Sequence, residues 1–264
     1  MAQPSIQDLI DLSGKRAIVT GGAMGIGFAI AERLAEAGAA VLIANLNTEK
    51  SAAAASKLTE RGWKAASTVA DVSEEVQVEA MVAAAVAEFG GVDILVNNAG
   101  IYPEKPVMES TKEDFEKVIH TNLMGAFFAS KYAAKQMIAQ GQGGRIINVT
   151  SIDALHPSEI GLAFYDASKH GLWGFTKNLA LELAPEKIWV NAIAPGAVAT
   201  PGTNNFKGAT PEEDAWYQQF IARVPMGRPA EADEIGRVAL FLASDLSSYM
   251  TGSQIVVDGG RLLD

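Results

Sequence analysis

The chain has 264 residues, 48% of them apolar and 20% charged, so it is long enough to bury one sizeable core without covalent staples. It contains no cysteine, which removes a disulfide framework, a thiolate metal site and a cysteine nucleophile together. A net charge of −10 sets it against phosphate backbones and anionic membrane surfaces, so neither nucleic acid nor a membrane is an expected partner.

Asp8 and Asp11 precede the first basic residue, Lys15, whereas an export leader opens with positive charge and an apolar run. The expected compartment is therefore the cytoplasm. After this polar lead-in, Ala17-Ile18-Val19 reads as a strand, 26–37 as a helix and Ala40-Val41-Leu42-Ile43 as a second strand. An alanine-rich helix over 48–61 leads to a strand over Ala66–Val69. Ile94–Val96, Ile146–Val149, Val190–Ile193 and Ile255–Val257 read as further strands, with helical periodicity near 73–89, 112–139, 164–184 and 230–243. Strands apolar on both faces and separated by helices predict an α/β fold. The expectation is a single doubly wound, Rossmann-type domain over 1–264, with a central parallel sheet of about seven strands and helices on both faces. The uncharged run from Ile188 to Phe206 holds Pro195 and Pro201, and so reads as strand and loop rather than a membrane span. The stretch 201–228 combines Pro, Gly and Asn with a short aromatic helix at Ala215-Trp216-Tyr217, and is expected to form a substrate lid beside the strand ends.

Thr20-Gly21-Gly22-Ala23-Met24-Gly25-Ile26-Gly27 joins the first strand to the first helix of this pattern. In a parallel sheet such a turn aims backbone N–H groups and a helix N-terminus at a pyrophosphate, although the same turn can exist with no ligand. Asn97-Asn98-Ala99-Gly100, at the end of another strand, would let a second strand end approach the same ligand. Tyr165 and Lys169 are four residues apart on one helical face, and Ser151 directly follows a strand, on the edge where parallel sheets bind ligands. Asn122 sits in a helical pattern where asparagine is a mildly poor choice; its structural reading is a cap on a helix bend.

These residues, with Asp71-Val72, Pro195-Gly196 and Val257-Asp258-Gly259-Gly260, resemble the short-chain dehydrogenase/reductase family in its short single-domain branch, from about Gly14 onward. The resemblance implies an NAD(P)-dependent oxidoreductase that moves a hydride between a nicotinamide cofactor and the CH–OH or C=O group of a small alcohol, polyol, sugar or ketone. It implies Tyr165 as general acid/base, Lys169 as its electrostatic partner and ligand of the nicotinamide ribose, Ser151 as hydrogen-bond donor to the substrate oxygen, and Asn122 as holder of a relay water. A free tyrosine titrates near 10, so acting near neutrality requires a stabilisation of tyrosinate by roughly 4 kcal/mol. For the cofactor it implies Gly21, Gly25, Ile26 and Gly27 at the pyrophosphate and Asp71 and Val72 at the adenine. Asn98, Ala99 and Gly100 would line the groove, and Pro195, Gly196, Val198 and Thr200 would hold the carboxamide.

Asn45 stands where an NAD-preferring member carries aspartate, and neither Leu46 nor Met24 supplies a cation for a 2′-phosphate, so NAD is the expected cofactor, with NADP possible. His120, His156 and His170 have no metal-ligand spacing, and no metal is expected. His156 and Asp153 are expected to border the substrate pocket, which suits a polyol or sugar. Leu172, Trp173, Phe175, Leu179, Leu181 and Leu183 cover more than one stripe of the helix over 166–183, which the resemblance makes an interface of a homo-oligomer, a tetramer by expectation. Two other readings stay open: an NADPH-dependent 3-oxoacyl-acyl-carrier-protein-type reductase, and a catalytically silent nucleotide-sensing protein.

Overall fold

Strands without a polar face need cover on both sides, and the computed structural model, which describes residues 3–157, 159–201, 218–219 and 221–263, shows how the cover is supplied. The elements run α1 (Ile6–Ile10), β1 (Arg16–Thr20), α2 (Gly25–Glu36), β2 (Ala40–Asn45), α3 (Thr48–Thr59), β3 (Ala65–Val69), α4 (Glu75–Phe89) and β4 (Ile94–Asn97). They continue through α5 (Lys112–Ile119), α6 (Gly125–Gln140), β5 (Gly144–Val149), α7 (Ala163–Leu183), β6 (Ile188–Pro195), β7 (Val198–Ala199), β8 (Ala230–Glu231), α8 (Ala232–Ala243) and β9 (Gln254–Val257).

Seven strands form one sheet in the order β3-β2-β1-β4-β5-β6-β9, and every neighbouring pair is parallel. The two short strands β7 and β8 pair separately. Successive strand residues point to opposite faces, so Ile18, Leu95 and Ile146 enter a core with Met81 of α4 and Met137 of α6. Val19, Val96 and Ile147 enter a second core with Leu34 of α2 and Leu242 of α8. Each fully buried Ile or Leu contributes roughly 1.5–3 kcal/mol, so both layers of helices are held by the sheet they cover.

The predicted strands all lie within the observed ones, and three helix boundaries move by two residues, among them the end of the helix expected over 48–61, which stops at Thr59. The pattern near 230–243 begins at Ala232 because Ala230 and Glu231 pair as β8, and that near 73–89 begins at Glu75. The chain is helical throughout the stretch expected over 112–139, but the helix is not regular: residues His120–Met124 form a π-helical turn between α5 and α6. Most of the expected lid, 202–217 with Ala215-Trp216-Tyr217, lies outside the described residues, as does 220. Beyond it, Ile221 and Val224 are buried. No helix among the described residues is long and apolar enough to cross a membrane.

The chain winds outward from β1 to β3 in one direction, then crosses back to β4 and winds the other way. The connections leaving β1 and β4 therefore diverge, and a crevice opens above their carboxyl ends. Thr20 closes its floor. Its Oγ accepts the N–H groups of Asn98 (3.0 Å) and Ala99 (3.1 Å) and donates to the carbonyl of Val96 at 3.2 Å. Thr20→Val keeps the shape and strands two N–H groups, so unfolding free energy in urea should fall by about 2 kcal/mol with an unchanged m-value. A loss below about 0.5 kcal/mol would mean that this tie is dispensable.

Candidate active site

The turn after β1 is built for a ligand that approaches backbone closely. Gly21 and Gly25 have φ of +63° and +55°, in the left-handed region that favours glycine. A Cβ on Gly21 would lie 2.9 Å from Asn98 Nδ2, and one on Gly27 would collide with the Gly21 carbonyl. Gly25 faces Thr200, whose Cβ would be 3.3 Å from a Cβ there. The N-terminus of α2, at Gly25-Ile26-Gly27, receives no hydrogen bond from the side chain of its cap residue, Met24, so its N–H groups and dipole point into the crevice. A cradle without Cβ atoms beside an uncapped helix end fits a dinucleotide pyrophosphate.

The second wall comes from β4. Asn98 Nδ2 donates to the carbonyls of Thr20 (3.0 Å) and Gly21 (3.3 Å), which fixes the Asn98-Ala99-Gly100 strand end against the glycine turn. Asp71 follows β3, where its Oδ1 accepts from Ser73 N at 2.9 Å and Oγ at 2.6 Å. Val72 is buried against Gly125, at the start of α6. On the far side, Pro195 ends β6 and Gly196 N donates to the Val257 carbonyl at 3.0 Å, which aligns Gly196, Val198 and Thr200 along the crevice rim. Asn45 ends β2 half-buried, and Leu46 beside it is 63% exposed.

The four residues singled out for chemistry meet at the carboxyl ends of β4 and β5. Ser151 follows β5, and Tyr165 and Lys169 lie one turn apart near the start of α7. Lys169 is buried, lies 5.5 Å from the Tyr165 ring centre and donates to the Val149 carbonyl at 2.8 Å. Tyr102 meets the Tyr165 ring edge to face at 6.1 Å. Asn122, in the π turn, is buried with its side chain spanning the loop after β4: Oδ1 accepts from Ile101 N at 2.8 Å and Nδ2 donates to Ile101 O at 2.9 Å. Nδ2 also reaches Ser168 Oγ at 3.0 Å, which ties that loop to α7.

Burial governs the electrostatics. It pushes the Tyr165 phenol well above its ordinary value, against a hydrogen bond shared with Ser151 that pulls it down, and Asp153 raises it further. Burial brings the Lys169 ammonium down to about 8, with Asp153 opposing. Burial thus disfavours tyrosinate and weakens the Lys169 ammonium without neutralising it near pH 7, so a tyrosinate draws on the positive charge beside it.

Several contributors were not legible as site residues. Ser168, inside the Tyr165–Lys169 turn, holds Asn122, and Thr20 holds both strand ends; one hydroxyl residue in a helix or strand gives no sequence signal. Asp153 was expected at the pocket border, but its bond to Ser151 Oγ at 2.9 Å was not. His156 is exposed, with Nδ1 2.9 Å from the Pro157 carbonyl.

Comparison with known proteins agrees with this geometry. A family profile described as enoyl-(acyl carrier protein) reductase matches residues 21–261. The chain is 40% identical to 4-formylbenzenesulfonate dehydrogenase of Comamonas testosteroni over 253 residues, 96% of this chain and 99% of that protein. It is 41% identical to 3-oxoacyl-[acyl-carrier-protein] reductase of Chlamydia trachomatis over 250 residues, covering 94% and 98% of the two chains. The crystal structure of a gluconate 5-dehydrogenase from Burkholderia cenocepacia in complex with NADP and tartrate superposes with a TM-score of 0.91 at 35% identity, over 98% of this chain and 100% of that one. The chain belongs to the short-chain dehydrogenase/reductase family. It is an NAD(P)-dependent oxidoreductase acting on alcohol or ketone groups.

One charge beside the site works against the fold. Burial, with Asp153 nearby, raises the Asp166 carboxyl to about 6. An acid whose folded-state pKa exceeds its unfolded value of about 3.9 opposes folding once ionised. The penalty is absent at low pH and complete above about 6. Asp166→Asn should therefore melt higher than the parent at pH near 8, by a margin that narrows as pH falls toward 5. A margin independent of pH would assign the effect to packing instead.

Proposed function

We propose that this protein oxidises a small, uncharged secondary alcohol or polyol, or reduces the matching ketone, with NAD as the preferred cofactor. The observation that carries the reading is the Ser151, Tyr165 and Lys169 cluster at the strand ends, beside the glycine crevice. The nicotinamide, when bound, supplies or takes the hydride at the substrate carbon. Tyr165 Oη takes the alcohol proton during oxidation and returns it during reduction. Ser151 Oγ hydrogen-bonds the reacting oxygen and steadies its developing charge. Lys169, fixed by the Val149 carbonyl, holds the ammonium that makes tyrosinate accessible and meets the ribose hydroxyls. Asn122 keeps the loop after β4 against α7, so the relay role expected of it would fall to its backbone rather than to its side chain, which is engaged with Ile101 and Ser168.

The 3-oxoacyl-acyl-carrier-protein reductase reading draws support from the chlamydial relative, but a net charge of −10 disfavours an acidic carrier. A silent nucleotide sensor would have no use for a filled catalytic set. We assign assembly into a homotetramer partly to the outer face of α6 and α7. Leu181 of α7 is 77% exposed, and Phe127 and Ile138 of α6 are 39% and 43% exposed. The other apolar residues of α7 divide: Leu172 and Leu183 are buried within the subunit, and Trp173, Phe175 and Leu179 are half-buried.

Tyr165→Phe should lower turnover by roughly 10²–10⁴-fold while dinucleotide binding, followed by fluorescence, persists. In the parent, the raised tyrosine means that kcat/KM for oxidation climbs with pH through the alkaline range, where the base form accumulates. Retention of most of the parent's turnover by the variant would refute the assignment.

At the adenosine end, Asn45 bonds a ribose hydroxyl without charge. Asn45→Asp should raise the NAD/NADP ratio of kcat/KM by tenfold or more, equivalent to about 1.4 kcal/mol of repulsion against a 2′-phosphate. A parent that already prefers NADP strongly would contradict this reading of β2.

A further inference from the structure

Asp153 is a charged group in a place where charge is costly. It lies on the short turn Ile152–Ala154 that follows Ser151, and is 7% exposed. Its Oδ2 accepts the Ser151 hydroxyl at 2.9 Å, and its own N–H donates to Ser151 Oγ at 3.1 Å. Its Oδ1 is buried and has no hydrogen-bond partner among the described residues. A buried carboxylate oxygen left in this way costs several kcal/mol in general, so it marks a place for a donor.

The bond to Ser151 creates a conflict with catalysis. Ser151 has one hydroxyl proton, and here it is given to Asp153. When Ser151 turns that proton toward the reacting oxygen, Asp153 is left with neither oxygen satisfied by it. A simple alcohol offers nothing in exchange. A substrate with a second hydroxyl on the carbon next to the reacting one can donate to Asp153 as Ser151 leaves it. Ser151 Oγ lies only 2.9 Å from Asp153 Oδ2, so the donor that replaces it must sit close to the reacting oxygen, as a hydroxyl on the adjacent carbon does.

The donor should also be neutral. Lys169, buried in the same pocket, already feels Asp153 as its opposing charge, so a second ammonium would face a resident cation. An anionic substituent would face Asp153 and Asp166, which already repel one another. We propose that Asp153 is a specificity-determining residue that accepts a hydroxyl on the carbon adjacent to the reacting one, and so selects vicinal diols and α-hydroxyketones over simple alcohols and ketones. This rests on the proposed oxidoreductase reading and narrows its substrate class.

The test compares butane-2,3-diol with butan-2-ol, all stereoisomers of each, with NAD and NADP, in the full-length parent and in Asp153→Ala. The parent should favour the best diol over the best mono-alcohol by tenfold or more in kcat/KM. In Asp153→Ala that ratio should fall by at least tenfold, mainly through a raised KM for the diol. Asp153→Asn keeps the side chain's volume and one acceptor oxygen, so it should lower the ratio by a smaller factor, and it serves if the alanine variant fails to fold. A parent that turns over the mono-alcohol as well as the diol overturns this inference and leaves the broader reading standing. So does a ratio unchanged within threefold in the variants, since Asp153 would then only position Ser151. A parent inactive on both alcohols and on their ketones overturns the inference together with the reading beneath it.

Discussion

The hydroxyl of Thr20 ties together the two strand ends on which the site depends. A doubly wound sheet gains its ligand crevice only where neighbouring strands send their connections in opposite directions, and that divergence leaves backbone groups without sheet partners. Thr20 Oγ meets two of those groups, at Asn98 and Ala99, and Asn98 returns two bonds across the gap. The crevice is therefore open at the top and closed at the floor. The glycines at 21 and 27 follow from this closure, because Asn98 occupies the space a larger residue would need.

Behind the edge that carries Ser151, Tyr165 and Lys169, a second polar device runs through an otherwise apolar interior. Asn97 of β4 donates to Asn148 of β5 at 2.8 Å and to Ser130 of α6 at 3.0 Å, and Asn148 donates to Thr176 of α7 at 2.8 Å. Apolar residues pack acceptably in several registers, but hydrogen-bonded side chains do not. The chain of bonds links β4, β5 and α7, the elements that carry Asn98, Ser151 and the Tyr165–Lys169 pair. Their alignment is thus set from below as well as at the surface.

Much of this was legible in the sequence because parallel strands buried on both faces leave short runs such as Val41-Leu42-Ile43, bounded by helical patterns. The glycine turn and the Tyr165–Lys169 spacing were legible for a similar reason: backbone proximity and one helical face impose local patterns. What stayed hidden depends on distant partners. The π turn at 120–124 was invisible because Thr-Asn-Leu fits an α-helix as readily as a π turn, and only the contacts of Asn122 with Ile101 and Ser168 distinguish the two. The orientation of Asp153 was hidden likewise, since its turn follows from a bond to Ser151 rather than from its neighbours' propensities.

The π turn also makes the length of this segment matter as much as its composition. Residues in an α-helix advance by about 100° each, so an extra residue accommodated in one turn resets the facing of everything after it. Removal of a single residue between His120 and Met124 would let α5 and α6 run on as one regular helix. Asn122 would then rotate away from Ile101, and the buried face of α6, including Ala129, Ala133 and Met137, would turn with it. Substitutions along this segment can be absorbed one by one, but a deletion would unseat the loop held by Asn122 and a core layer together.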